Sequence, residues 1–149
     1  MMTDSTPTEI RDDMLQEHAE ISAQLVRLEH AAQGLRREPA LRERVAAELR
    51  SLRSLLFAHM RHEEEVLLPE LAQLAGFGAV RVADVKREHA IQRQVLDAVV
   101  HEALQMSSCS EFAGNVQGLI DGLRQEMQRE EQTHFRMLSD GLSGPGFIG

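Results

Sequence analysis

Four segments of this chain carry apolar residues at steps of three and four, and short breaks containing Gly, Pro or Ser separate them. This spacing places apolar side chains on one face of an α-helix. The sequence therefore predicts helices over about 7–33, 39–74, 80–106 and 109–140, with a loose tail at 141–149. Because such short breaks force consecutive helices to run antiparallel, we expect one all-α domain, an up-down-up-down antiparallel four-helix bundle.

Local signals mark several helix ends. Thr6 with Glu9, and Ser108 with Glu111, have the spacing of a capping box, in which each residue satisfies a free backbone N–H of the other. Pro69 is expected to kink or end the second helix, because proline lacks the N–H that an interior helical position donates.

Composition and charge exclude several function classes. A net charge of -8 disfavours a nucleic-acid partner, which normally meets a basic surface. The apolar runs fall far short of the roughly 20 residues that span a bilayer, and the N-terminus lacks a secretion signal, so no membrane role is expected. A single cysteine, Cys109, is compatible with a reducing compartment and leaves no thiolate zinc site. We expect a cytoplasmic protein, either a monomer or a homodimer.

Polar side chains interrupt the apolar face of every predicted helix. The candidates for a metal site are three histidines and three glutamates: His18, His59, Glu63, His89, Glu126 and Glu130. At a rise of about 1.5 Å per residue, one such position on each helix lies at a similar depth in an antiparallel bundle. An internal repeat supports this layer, since "QEHAEISAQL" (16–25) aligns without gaps with "REHAIQRQVL" (87–96).

Buried carboxylates need a compensating positive charge, and Arg and Lys are missing from these inner stripes. That charge would come from a metal ion or a proton. Residues four apart on a helix project the same way, so His59 with Glu63, and Glu126 with Glu130, are spaced to hold or bridge metals. Histidine and carboxylate without thiolate suit iron or manganese, while zinc stays open.

These residues resemble the hemerythrin-like family, also called the HHE cation-binding domain. The resemblance implies a four-helix bundle around a non-heme di-iron centre (Fe2+/Fe3+), with His18, His59, Glu63 and His89 as ligands. Helix four departs from the family, because Glu126 stands where a histidine is usual. Helix three has Arg93 where oxygen carriers place another histidine, which argues against a reversible oxygen carrier.

The resemblance implies binding or handling of O2, NO, peroxide or iron itself, in sensing, stress defence or repair of iron centres. Two alternatives stay open: a small di-iron oxidase or catalase-like enzyme, and a metal-free helical interaction module. Whether the protein is an enzyme is left open.

Charged residues flank the candidate ligands on neighbouring helix faces. We expect a solvated rim at His62, Glu64, Glu65, Glu131 and His134. The alternative is that some of them orient a ligand imidazole, with His62 and His134 the two to watch.

Overall fold

The computed structural model describes residues 5–74, 76, 78–103, 105 and 108–140, and all regular elements within them are helical. The predicted loose tail, 141–149, lies outside the described residues. The α-helices are α1 (Pro7–Gly34), α2 (Arg42–His62), α3 (Leu68–Ala72), α4 (Gly78–Glu102), α5 (Cys109–Glu130) and α6 (Arg136–Asp140). A short 3-10 turn (Pro39–Leu41) precedes α2, and two π-helical turns (Glu63–Leu67 and Glu131–Phe135) join α2 to α3 and α5 to α6.

These elements form four rods. The second rod is α2, its π turn and α3, and the fourth rod is α5, its π turn and α6. The rod α1 contacts both α2 and α5, and α4 contacts α2, α3 and α5, so each rod packs against its two neighbours in chain order. The predicted all-α four-helix bundle is confirmed. None of the described helices is long and apolar enough to cross a bilayer.

The first and fourth rods begin at the predicted caps. The Glu9 N–H donates to Thr6 Oγ1 at 3.1 Å, and the Thr6 N–H donates to Glu9 Oε1 at 2.9 Å, which completes the capping box. Ser108 Oγ accepts the Glu111 N–H at 3.1 Å. Both caps satisfy backbone donors that the first helical turn leaves free.

The third rod, α4, ends at Glu102, before the end near residue 106 that the sequence predicts for the third helix. The Arg42 guanidinium reaches this end and donates to the carbonyl oxygens of Glu102 at 3.4 Å and Gln105 at 2.6 Å. Carbonyls at a helix C-terminus have no partner within the helix, so a cation that bonds them stabilises the end.

Pro69 does not end the second rod, which continues through α3 to Ala72. The π turn Glu63–Leu67 comes just before it, and the Leu68 N–H reaches back to the Glu63 carbonyl. The fourth rod has a π turn at Glu131–Phe135 without a proline, so proline is not required for this feature. Both turns directly follow or include a candidate glutamate ligand, and single π turns in α-helices are frequent at functional sites.

A layer of buried polar side chains divides the apolar core into two clusters. The larger cluster lies on the side of Ile21 and Met60. The smaller cluster lies on the other side and includes Met14, Leu67 and Phe135. The polar layer between them contains His18, His59, Glu63, His89, Glu130 and His134, each at most 5% exposed.

Candidate metal centre

Three imidazoles and two carboxylates meet in the polar layer. Glu63 Oε1 lies 3.2 Å from His59 Nε2 and 3.0 Å from His89 Nε2. Glu130 Oε1 lies 3.2 Å from His18 Nε2. The three Nε2 atoms therefore all point at the two inner carboxylates, and these five residues come from all four rods.

Each of these imidazoles uses its other nitrogen, Nδ1, to contact an outer carboxylate. Glu17 on α1 contacts His59 at 2.6 Å, and Glu131 on the fourth rod contacts His18 at 2.8 Å. A carboxylate on Nδ1 fixes the tautomer and ring orientation, and leaves Nε2 free to bind a metal.

The third imidazole follows the same pattern. Glu64 on the second rod contacts His89 Nδ1 at 2.8 Å, and the Arg93 guanidinium donates to both oxygens of Glu64 at 3.0 and 2.9 Å. Arg93 thus supports an outer carboxylate at the position where oxygen carriers place a ligand histidine. Glu64 is half-buried and Glu131 is exposed, and each contacts an imidazole, which is the contact that the alternative for these rim residues requires.

Burial and charge set the protonation of the layer. Burial lowers the pKa of His59, but its contacts with Glu17 and Glu63 outweigh this and raise it to about 10. Similarly, burial raises the pKa of Glu63, while its contacts with His59 and His89 reverse the shift and lower it well below the usual range. Burial, and then repulsion from Glu63, raise the pKa of Glu130 to about 7. Without a metal, protonated imidazoles compensate the inner carboxylates.

The inner atoms of this layer fit a metal cation. Four ligand atoms, one from each of four residues, lie within 4.8 Å of one another: they belong to His18, His59, Glu63 and Glu130. Although His18 Nε2 and His59 Nε2 lie 3.2 Å from carboxylate oxygens, neither has hydrogen-bond geometry, and Glu63 Oε2 also lacks a partner. Buried polar atoms without partners are costly, and a cation would satisfy them together.

Five of the six predicted ligands are brought together, and the sixth stands apart. Glu126 contacts Arg129 Nη2 through both oxygens, at 2.6 and 3.0 Å, and its side chain is 16% exposed. Arg129 also contacts Glu88. The positive charge beside Glu126 therefore comes from a neighbour on the same helix, which inspection of the inner stripe did not anticipate.

The expected solvated rim is wrong for His134, which is 1% exposed. It follows the inner Glu130 by four residues, a spacing that places both side chains on the same face of the rod. Of the other flanking residues, Glu65 is exposed and pairs with Arg61. His62 Nδ1 contacts Glu17 at 2.5 Å, so His62 supports an outer carboxylate.

Glu17 is a candidate site residue that sequence reasoning missed. It contacts both His59 and His62 and therefore links α1 to the second rod. The signal for it was present, because Glu17 directly precedes His18 in the Glu-His-Ala core of the repeat. Its counterpart Glu88, which precedes His89, contacts Arg129 instead of an imidazole.

A groove of about 710 Å³ runs between α4 and α5. Its lining is mostly apolar, and on α5 it passes three glycines: Gly114, Gly118 and Gly122. A Cβ atom added at any of the three would meet nothing within 4 Å, so the missing side chains create open space. Glu88 and Glu126 also line the groove, which places it beside the polar layer.

The fold and the buried cluster of histidine and glutamate define a four-helix bundle suited to hold a metal cation. The family model of the Hemerythrin HHE cation binding domain matches residues 9–138, so the chain belongs to this family. The curated proteins and the solved structures compared with the chain gave no significant match.

Proposed function

We propose that the protein is a non-heme di-iron protein of the hemerythrin-like class, which binds or handles a small molecule such as O2, NO or peroxide, or iron itself. The observation that carries the proposal is the repeated imidazole geometry. Three Nδ1 atoms are each fixed by an outer carboxylate, and the three Nε2 atoms face Glu63 and Glu130. That arrangement suits metal binding, whereas an ordinary packed core would leave costly charges buried.

The ligand set favours two ions that share carboxylates. His18 and His59 would hold one ion and His89 the other, and Glu63 and Glu130 would be shared by both. Glu126, the sixth predicted ligand, would have to leave Arg129 before it could bind an ion. Histidine and carboxylate ligands suit iron or manganese, and zinc binding is a further outcome that the metal analysis would detect. Bound iron would supply redox chemistry and open coordination positions for the small molecule.

An apolar groove supports a small-molecule ligand. The groove between α4 and α5 reaches Glu126, and its apolar lining suits an uncharged diatomic molecule or peroxide. The physiological role that follows is sensing, stress defence or iron-centre repair in the cytoplasm.

The test is metal-dependent stabilisation. A ligand that binds only the folded state raises the melting temperature, so ferrous iron under anaerobic conditions should stabilise the wild type. We expect the shift to vanish in His59→Ala and to persist in the matched variant His30→Ala, because His30 is exposed. Equal shifts in both variants would contradict the proposed site.

Two alternative functions predict different results in the same experiment. A metal-free interaction module would show no shift with any divalent metal. A di-iron oxidase or catalase-like enzyme would show the shift and also sustained turnover of peroxide, many equivalents for each bound iron. Stoichiometric consumption alone would favour a sensor or carrier.

A further inference from the structure

The second of the two proposed metal positions has a gap in its ligand set. Around the first position, two imidazoles, those of His18 and His59, face the shared carboxylates. Around the second, His89 is the one imidazole among the five clustered residues, and Nε2 of His89 faces Glu63. The fourth rod supplies Glu130 to the shared pair, but the second position still needs a ligand from it.

Glu126 is poorly placed to fill that gap. Both of its oxygens contact the Arg129 guanidinium, at 2.6 and 3.0 Å, and the side chain lines the groove on the α4–α5 side. A cation that bound Glu126 would have to break this charge-assisted pair and leave Arg129 with Glu88.

His134 differs from Glu126 because no hydrogen-bond partner among the described residues competes for its ring nitrogens. Its side chain is 1% exposed, and neither ring nitrogen has a hydrogen-bond partner among the described residues. A buried imidazole with no partner is unfavourable, so some ligand should satisfy it. It follows Glu130 by four residues on the same rod, the spacing that brings His59 and Glu63 together on the second rod.

Charged groups near His134 include one of the inner carboxylates. The guanidinium charges of Arg81 and Arg129 act on its ring, and the carboxylate charge of Glu63 acts on it more weakly. The next residue, Phe135, packs against His18 with ring centroids 4.9 Å apart. Both residues lie in the π turn Glu131–Phe135 and are buried.

We propose that His134 is a ligand of the second metal position, together with His89 and the shared carboxylates Glu63 and Glu130, and that Glu126 stays outside the coordination sphere. This inference rests on the proposed di-iron function. Each ion would then be held by two imidazoles and the same two carboxylates, a ligand set that suits iron or manganese.

The experiment compares iron content in His134→Leu and Glu126→Ala after anaerobic loading with ferrous iron and removal of unbound metal. The wild type is expected to retain two irons per chain. His134→Leu should retain one and lose the near-ultraviolet absorption that appears after exposure to air, whereas Glu126→Ala should keep both irons and the absorption. A second readout is electron paramagnetic resonance of the manganese-loaded protein, which distinguishes a pair of neighbouring ions from a single ion.

Denaturant unfolding of the metal-free variants separates ligand loss from misfolding. Leucine replaces an unpartnered buried imidazole with an apolar side chain of similar size, so the midpoint of metal-free His134→Leu should equal or exceed that of the wild type. If this variant fails to fold, His134→Asn provides a polar replacement that is expected to fold and to hold less iron than the wild type.

The outcomes distinguish the two proposals. Two irons in His134→Leu would overturn the role of His134, and a loss of one iron in Glu126→Ala would overturn the exclusion of Glu126. Either result would leave the di-iron function standing. A wild type that binds no iron or manganese would overturn both.

Discussion

Nδ1 of His59 on α2 lies 2.6 Å from Oε1 of Glu17 on α1, so a carboxylate on one helix orients an imidazole on the next. The same relation links Glu64 to His89 and Glu131 to His18. In each case Nε2 is left facing the inner carboxylates. The bundle therefore determines the direction of the candidate ligands through contacts between neighbouring rods.

Removal of Glu17 should weaken metal binding without abolishing it. In Glu17→Ala the His59 imidazole keeps its place but loses the partner of Nδ1, and loss of such a partner typically lowers metal affinity by about 10- to 100-fold. Competition with a chelator of known affinity measures the change. Glu20→Ala, which removes the same charge from an exposed position on the same helix, should bind iron like the wild type. Equal losses in the two variants would indicate a general effect of charge.

Replacement of Glu130 should weaken iron binding and stabilise the metal-free protein. The pKa of Glu130 is raised to about 7 by burial and by Glu63, so its ionisation above that pH opposes folding of the metal-free protein. Glu130→Gln keeps the shape and removes the charge. At pH 8 we expect the metal-free variant to gain on the order of 2 kcal/mol in free energy of unfolding, and to lose high-affinity iron binding. Urea denaturation and metal analysis measure the two effects. A less stable variant that still binds iron would contradict this account.

The stability of the metal-free protein should fall as the pH rises from 7 to 10. The pKa of His59 is raised to about 10 in the folded state, against about 6.5 when unfolded. Its contribution is therefore fully present below about 6.5 and is lost as the pH rises through about 10. The pKa of Glu17 and of Glu63 is lowered, so both carboxylates stay ionised across this window and do not oppose the trend.

Urea midpoints at pH 7, 8.5 and 10 follow this loss. His59→Ala should show a smaller decline than the wild type, while His30→Ala should match the wild type. Iron affinity should change in the opposite direction, because binding displaces protons from the imidazoles and strengthens as the pH rises. An equal pH dependence in His59→Ala and wild type would refute the assignment of the decline to His59.

The glycines of the groove should limit stability. An added Cβ at Gly118 meets nothing within 4 Å, and alanine is favoured over glycine in a helix interior, so Gly118→Ala should stabilise the protein by about 1 kcal/mol. Gly78→Ala is the matched control, because its Cβ would lie 2.5 Å from the Leu71 carbonyl oxygen and should destabilise the protein. Thermal unfolding distinguishes them. No gain in Gly118→Ala would mean that the groove is occupied or closed in solution.

The bundle was predictable because helical periodicity and capping are local properties of the sequence. Thr6 and Ser108 both cap helices as predicted. Five of the predicted ligands converge because the apolar stripes that carry them must face one another: His18, His59, Glu63, His89 and Glu130. These residues lie at a similar depth in the bundle, as the rise per residue predicted, because antiparallel rods have little freedom to slide along their axes.

The remaining features depend on contacts between rods, which periodicity does not encode. Glu17 lies at the edge of its stripe and reaches His59 only when α1 and α2 pack at the observed distance. His134 differs from these, because its spacing of four residues from Glu130 already placed it on the inner face of the rod. Glu126 lies on the predicted stripe, but Arg129, one turn away, holds its carboxylate on the groove side.

The most direct measurement is anomalous diffraction at the iron absorption edge, from crystals of protein loaded anaerobically with ferrous iron. The account predicts two anomalous peaks within the polar layer, both in contact with the carboxylates of Glu63 and Glu130. Peaks confined to surface carboxylates, or a fully loaded crystal with no peak between these two glutamates, would contradict it.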